Sequence, residues 1–165
     1  MKSFVILFSF LALLGCSEKE EKKSGLVTPI VHESTKKSTL STQQLPDTVE
    51  TLGNLSWHSN VQEAFSLAQE ENKNLIIMVG EDSCRWCVKM KKNTLTDARV
   101  QEGMQKYILV SIKRSDTEAV KSVPEFDGNI PSFFFLDKNR ELMESVVGYF
   151  NAGDFVSYMA EIEEE

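Results

Sequence analysis

The sequence predicts an α/β domain with a central mixed sheet, an antiparallel C-terminal hairpin and flanking helices. Three observations predict it. Strand-like and helix-like hydrophobic patterns alternate from Leu55 onward. Residues 75–79 form a continuous apolar run, which suits a strand buried on both faces. Two further strand patterns, Ser132–Leu136 and Leu142–Val147, flank the polar stretch 137–140, which is hairpin spacing.

The elements follow in order. Leu55–His58 is a short strand. Val61, Ala64, Phe65 and Ala68 repeat at i, i+3, i+4 and i+7, the period of a helix face, and this helix ends near Asn72. After the 75–79 strand comes the loop 80–83, and a helix starts at Cys84. It is interrupted near Asn93-Thr94, and a second helical piece starts near Asp97 with Val100 and Met104 inward. Residues 107–112 are the next strand. Ser115 with Glu118 three residues on reads as a capping box for a short helix that must stop before Pro124. Asp127-Gly128-Asn129 is a turn ahead of the hairpin. Asn151 caps a last helix with Phe155, Tyr158, Met159 and Ile162 on one face. The early alternation implies parallel strands joined by crossover helices.

The folded part does not start at Met1. Lys2 precedes an apolar run, residues 4–14, broken only by Ser9. Such a run is too short to span a bilayer as a helix, which takes about 20 residues, and it suits the apolar segment of a signal peptide. It ends in Leu13-Leu14-Gly15-Cys16, which resembles the lipobox of bacterial lipoproteins. That resemblance implies removal of residues 1–15 and acylation of Cys16; the alternative is an ordinary secretory signal with an incidental cysteine. Ser17 after the cysteine suggests the outer membrane, facing the periplasm, with the inner membrane as the other destination. Residues 16–53 then read as the lipidated cysteine and a flexible linker, rich in Ser, Thr, Lys and Glu and without an aromatic residue. A flexible chain of that length spans about 35 Å r.m.s.. Residues 54–165 are left as the domain.

Net charge is −7, and no Lys/Arg cluster stands out, which argues against a nucleic-acid partner. Three cysteines are too few for a disulfide scaffold. If Cys16 carries lipid, Cys84 and Cys87 remain as a pair in an oxidising compartment.

That pair is the chemical motif. Cys84-Arg85-Trp86-Cys87 follows a buried strand and opens a helix. Backbone N–H groups at a helix start favour a thiolate over a thiol at Cys84. Cys87 lies one turn on, on the same face, where it can attack a mixed disulfide formed on Cys84. Cys84 is thus the expected nucleophile and Cys87 the resolving thiol. A static bridge is the alternative, although so short a loop constrains the unfolded chain little. Zinc lacks further ligands at useful spacing, since His32 and His58 are the only histidines; Val88 stands where covalent haem attachment needs His.

Residues from about 57 to 162 resemble the thioredoxin superfamily, and most of all the group containing the C-terminal periplasmic domain of the transmembrane reductase DsbD. The resemblance rests on Trp57, on the stretch from Ala64 to Ala68 with Asn72-Lys73, on Asp82 to Met90 around the cysteines, on Ile130-Pro131-Ser132 and on Val147-Gly148-Tyr149. It implies a thioredoxin-like three-layer sandwich and a cis peptide between Ile130 and Pro131 beside the cysteines, with the Ile130 backbone pairing with a substrate strand. Without the CxxC, Pro131 would read as a turn proline starting a strand. The chain departs from the family pattern twice. Ser83 stands where thioredoxins commonly have Trp, and Met78 stands where they have a buried strand Asp. Glu81 or Asp82 could replace that acid from the loop, or both are simply solvated. Arg85 and Trp86 are candidate substrate contacts, with Trp86 alternatively packed on the domain.

The expected activity is thiol–disulfide exchange on exported proteins in the reducing direction. A membrane thiol reductase would supply electrons, since the chain has no nucleotide or flavin fingerprint and so no cofactor of its own. Oxidation or isomerisation on the same residues, and a non-catalytic binding module with a structural bridge, are the competing readings. Nothing in the sequence calls for a metal or an obligate oligomer.

Overall fold

The computed structural model describes residues 47–163. Cys16, the leader and most of the linker therefore lie outside the described residues. The described elements are β1 (Glu50–Leu52), β2 (Leu55–His58), α1 (Val61–Glu71), β3 (Leu75–Gly80), α2 (Arg85–Lys89), α3 (Ala98–Met104), β4 (Ile108–Lys113), α4 (Thr117–Val120), β5 (Ser132–Leu136), β6 (Leu142–Val147) and α5 (Ala152–Glu163).

Six strands form one mixed sheet in the order β1-β2-β4-β3-β5-β6. β2, β4 and β3 run parallel; β5 and β6 add antiparallel pairs at one side and β1 at the other. β3 lies between β4 and β5 and is buried along its whole length. The two-residue period of a strand splits its side chains between two cores. Leu75, Ile77 and Val79 face α1 side chains such as Phe65, while Ile76 and Met78 face Met90, Met104 and Phe155. Helices cover both faces, so the three layers expected from the sequence are present.

Three features differ from the sequence reading. Residues 47–53, assigned there to the linker, belong to the fold. β1 pairs antiparallel with β2, and Asp47 Oδ1 accepts from the backbone N–H groups of Ser59 (2.8 Å) and Asn60 (3.0 Å). A three-residue strand leaves no period to detect, and Asp47 acts across 12 to 13 positions of sequence. The short helix α4 is capped by Asp116, whose carboxylate accepts from Ala119 N–H at 3.0 Å, while Ser115 N–H donates to Glu81 at 3.1 Å. Aspartate competes well with serine for a cap, and here it shifts the helix start by one residue. Finally, the interruption expected near Asn93-Thr94 is a π-helical turn, Met90–Thr94, closed by Leu95 N–H donating to Met90 C=O.

That turn carries the helix past the site and is tied down on both sides. The buried Thr94 hydroxyl donates to Phe150 C=O at 2.6 Å, ahead of α5. Buried Gln101 accepts from Asn54 N–H at 2.7 Å and donates to the carbonyls of Leu52 and Leu95, which locks the β1–β2 hairpin onto α3. Gly53 makes this approach feasible: φ is +64°, and a Cβ there would lie 2.6 Å from Gln101 Oε1.

Candidate active site

The central strand β3 aims the loop 81–83 at the start of α2. Cys84 is the N-cap of α2 rather than its first helical residue, so the helix starts at Arg85, one position later than expected. Its backbone is extended (φ −83°, ψ 107°), and its sulfur accepts from Cys87 N–H at 3.1 Å. A sulfur in the capping position meets an N–H that the helix leaves unpaired. The site thus carries a preset donor for negative charge on Cys84, as the sequence argument requires.

Cys84 and Cys87 are joined as a disulfide with Cα atoms 5.2 Å apart. Their exposures differ. Cys84 is half-buried, whereas Cys87 is 2 % exposed and packs in the core with Met78 and Met90. Gly80 lies beside the pair: a Cβ there would make ordinary van der Waals contact with Cys87 Sγ at 3.6 Å.

Ile130 and Pro131 are joined by a cis peptide at the start of β5. Pro131 is buried and its carbonyl accepts from Gly148 N–H at 2.7 Å, which fastens it to the end of β6. Ile130, Pro131, Gly148, Tyr149 and Trp86 line one groove of about 330 Å³. Trp86 is 42 % exposed and lies against Tyr149, with ring centroids 5.5 Å apart. Trp86 thus packs on the domain through Tyr149 while remaining partly exposed. Arg85 Cζ sits 4.9 Å from the Trp86 ring centre, and Lys89 Nζ sits 4.3 Å from that of Tyr149 and 5.2 Å from that of Trp86.

The loop acids are elsewhere. Glu81 and Asp82 line a wider cavity on the other side, along with Cys87, Trp57 and Lys91. Asp82 pairs with Lys113 at 2.5 Å, which holds its carboxyl below the usual value. Hydrogen bonding from Ser115 does the same for Glu81. Glu81 meets Cys84 through its backbone, its carbonyl accepting from Cys84 N–H at 3.1 Å, and Met78 fills the strand position fully buried. The same cavity holds the Lys91–Glu50 pair at 3.1 Å and the buried Trp57 Nε1, which finds no acceptor among the described residues. His58 is taken by Asp47 Oδ2 at 2.6 Å. Among the described residues no group of three or more His, Cys, Asp or Glu side chains could hold a metal ion.

The structure thus gathers Cys84, Cys87, Arg85, Trp86, Ile130 and Pro131 at one place and sets Asp82 apart from the groove. Tyr149 and Lys89 were missed as site residues. Lys89 could have been found from helix spacing, three residues beyond Trp86. Tyr149 could not, because only the β5–β6 register brings it there.

A family model described as thioredoxin-like matches residues 56–138, half of the chain. The chain belongs to that thioredoxin-like family, and within that fold it carries a CxxC-spaced disulfide. It is similar in fold to a DsbH oxidoreductase (17 % identical, 75 % of this chain and 95 % of that one, TM-score 0.57). It is likewise similar to the DsbD C-terminal domain of Neisseria meningitidis in its oxidised form (18 %, 61 % and 90 %, TM-score 0.51). An uncharacterized protein of Caenorhabditis elegans is 27 % identical over 92 residues; the aligned part covers 54 % of this chain and only 13 % of that protein.

Proposed function

We propose that this protein is an extracytoplasmic thiol–disulfide oxidoreductase that reduces disulfides of exported proteins. The observation that carries the reading is the asymmetry of the pair: Cys84 is half-buried at the start of α2, two residues before the groove residue Trp86, and Cys87 is buried in the core. The reduced Cys84 thiolate attacks one sulfur of a substrate disulfide. That S–S bond breaks, a Cys84–substrate disulfide forms, and the second substrate sulfur leaves as a thiolate that takes up a proton. Cys87, having lost its proton, then attacks Cys84 Sγ and expels the first substrate sulfur as a thiol. Two electrons have passed from the pair to the substrate, and the Cys84–Cys87 disulfide remains. A dithiol donor, by this reading a membrane thiol reductase, returns it to the reduced state. The fold shared with a DsbH oxidoreductase and with a DsbD C-terminal domain supports the class of this reading.

The leader and Cys16 place the protein, by the same proposal, in the bacterial envelope on an N-terminal lipid, most simply at the outer membrane facing the periplasm. Acyl chains add about 0.8 kcal/mol of membrane affinity per buried CH₂. Mass spectrometry of the membrane-extracted chain tests this: a mature N-terminus at Cys16 with added acyl mass supports the anchor, and an unmodified Cys16 sinks it.

The exchange reading is tested with the full chain carrying Cys16→Ser, so that only the pair titrates. Cys84→Ser should abolish turnover, while Cys87→Ser should accumulate a substrate adduct on non-reducing gels. Full turnover in both variants refutes the mechanism. Equilibration against glutathione or dithiothreitol gives the potential. A value between about −200 and −270 mV fits a reductase, and one near about −120 mV reverses the direction.

A further inference from the structure

The groove beside the disulfide carries charge that sulfur exchange itself does not require. Its five lining residues are uncharged. Two cations stand at its aromatic wall, Arg85 over Trp86 and Lys89 over Tyr149 and Trp86. Neither cation makes an ion pair among the described residues. The nearby loop acids line the opposite cavity, where Ser115 and Lys113 already occupy them. In a chain of net charge −7, this side of the disulfide is locally positive and uncompensated.

We propose that the Arg85–Trp86–Lys89–Tyr149 wall selects substrate segments bearing an acidic residue next to the reacting cysteine. This rests on the exchange reaction proposed above and adds the class of substrate to it. The geometry supplies three reasons. Arg85 and Trp86 directly follow Cys84 in the chain, so an extended segment bonded to Cys84, rising about 3.3 Å per residue, carries its neighbouring side chains past the rings. Cation–π contact holds both cations over the rings, so less side-chain freedom remains to be lost when an acid arrives. A carboxylate there would be the first counterion of either cation, whereas a substrate Lys or Arg would add a third positive charge.

An exposed ion pair is worth up to about fivefold in an equilibrium or rate, so two cations give a preference of about three- to tenfold over a neutral neighbour at low salt. The screening length falls from about 10 Å at 0.1 M salt to about 3 Å at 1 M, so the preference must shrink with salt.

The test uses the full chain with Cys16→Ser, reduced beforehand, and three peptide disulfide dimers, Gly-X-Cys-X-Gly with X as Glu, Gln or Lys. Acid quenching and chromatography follow the released peptide thiol. Each rate is divided by the rate of the same peptide with dithiothreitol, which removes the effect of X on the sulfur itself. The expected order is Glu, then Gln, then Lys, with a three- to tenfold Glu-to-Gln ratio that falls toward one at 1 M salt. Lys89→Gln should lower the ratio, the Arg85→Gln/Lys89→Gln pair should bring it to one, and Lys89→Arg should keep it. Equal rates for Glu and Gln peptides overturn the selection and leave the exchange reaction standing. So does a ratio that survives the double substitution. Reduction of none of the three peptides overturns the exchange reaction, and the selection with it.

Discussion

Replacing Asp47 by Ala should destabilise the domain by about 2–3 kcal/mol, although Asp47 lies seven residues ahead of the domain start read from the sequence. Its carboxylate accepts the N–H of Ser59 at 2.8 Å, the N–H of Asn60 at 3.0 Å and His58 Nδ1 at 2.6 Å. Asn60 in turn caps α1 through Gln62 and Glu63 N–H. A hydrogen bond to a charged group contributes about 1.5–3 kcal/mol, and water entering the vacated site recovers part of the loss. The Asp47 side chain is only 10 % exposed, so that recovery is incomplete. For a domain of this size each kcal/mol shifts Tm by roughly 3–6 °C, giving a drop of about 10 °C. The loss should depend on pH. Burial pushes the Asp47 carboxyl up, but the bond to His58 and the N–H groups of Asn60 and Ser59 outweigh it, and the net position is below the ordinary 3.8. A carboxyl with a lowered folded value stabilises fully above its unfolded value and loses that contribution as pH falls through the folded one. Thermal unfolding of wild type and Asp47→Ala by circular dichroism should therefore show a constant Tm gap from pH 8 to pH 5 that narrows below about pH 4. A gap under about 2 °C at pH 7, or one undiminished at pH 3, would refute the assignment of Asp47 as the clamp on α1.

Further outcomes follow from other contacts. Tyr149→Ala removes one wall of the groove and should lower kcat/KM on a disulfide-bonded protein by about tenfold, or about 1.4 kcal/mol, while dithiothreitol oxidation changes less than about twofold. Equal losses on both would show that Tyr149 acts on the cysteines and not on the substrate. Gly53→Ala places a Cβ against Gln101 in a left-handed conformation and should cost about 1–3 kcal/mol in urea unfolding. An unchanged midpoint would argue against the Gln101 lock. Tyr158 donates to Ser145 C=O at 3.2 Å, and burial, aided by Glu144, raises its phenol to about 12. Its proton is held tighter in the folded state, so its contribution is present below the unfolded value near 10 and disappears as pH rises through the folded one. Ultraviolet difference titration of wild type against Tyr158→Phe should show the missing step near pH 12. A missing step near pH 10 would contradict this environment.

Where the sequence carried a sustained period, the elements read from it stand at or near the positions found. α1 is the example, with Val61, Ala64, Phe65 and Ala68 on its buried face, while β5 was legible as a short apolar run and is buried throughout. The CxxC was legible for a chemical reason: few structures place two cysteines three apart at a helix start. What escaped was non-local. β1 is three residues long and is held by Gln101 and Asp47 rather than by its own pattern. The Ser115 capping box lost to Asp116, since local motifs do not rank neighbouring caps. Tyr149 joined the groove only through the pairing of β5 with β6. The loop acids Glu81 and Asp82 were plausible near the cysteines, but Ser115 and Lys113, brought up by the end of β4, claimed them.

The two sides of the disulfide divide the work. In the proposed exchange a partner sulfur must approach along the line of the bond it breaks, and the buried Cys87 is less open to it than the half-buried Cys84. The groove on that side is apolar, aromatic and edged by cations. The cavity on the Cys87 side mixes apolar surface with charged side chains, and in the proposed resolving step the proton of Cys87 would leave toward it, since Met78 and Met90 close the core behind. Met78 supplies no carboxylate to that step. The charges in the cavity come instead from its rim, and one of them, Glu50, arrives on β1 to pair with Lys91 one turn beyond Cys87. The short strand hidden in what reads as linker therefore closes the hairpin and also brings a charge to the cavity that Cys87 lines. Deleting residues 1–53 would remove Asp47 and Glu50 together, so a fragment cut at the apparent domain boundary would lose stability and alter the site in one step.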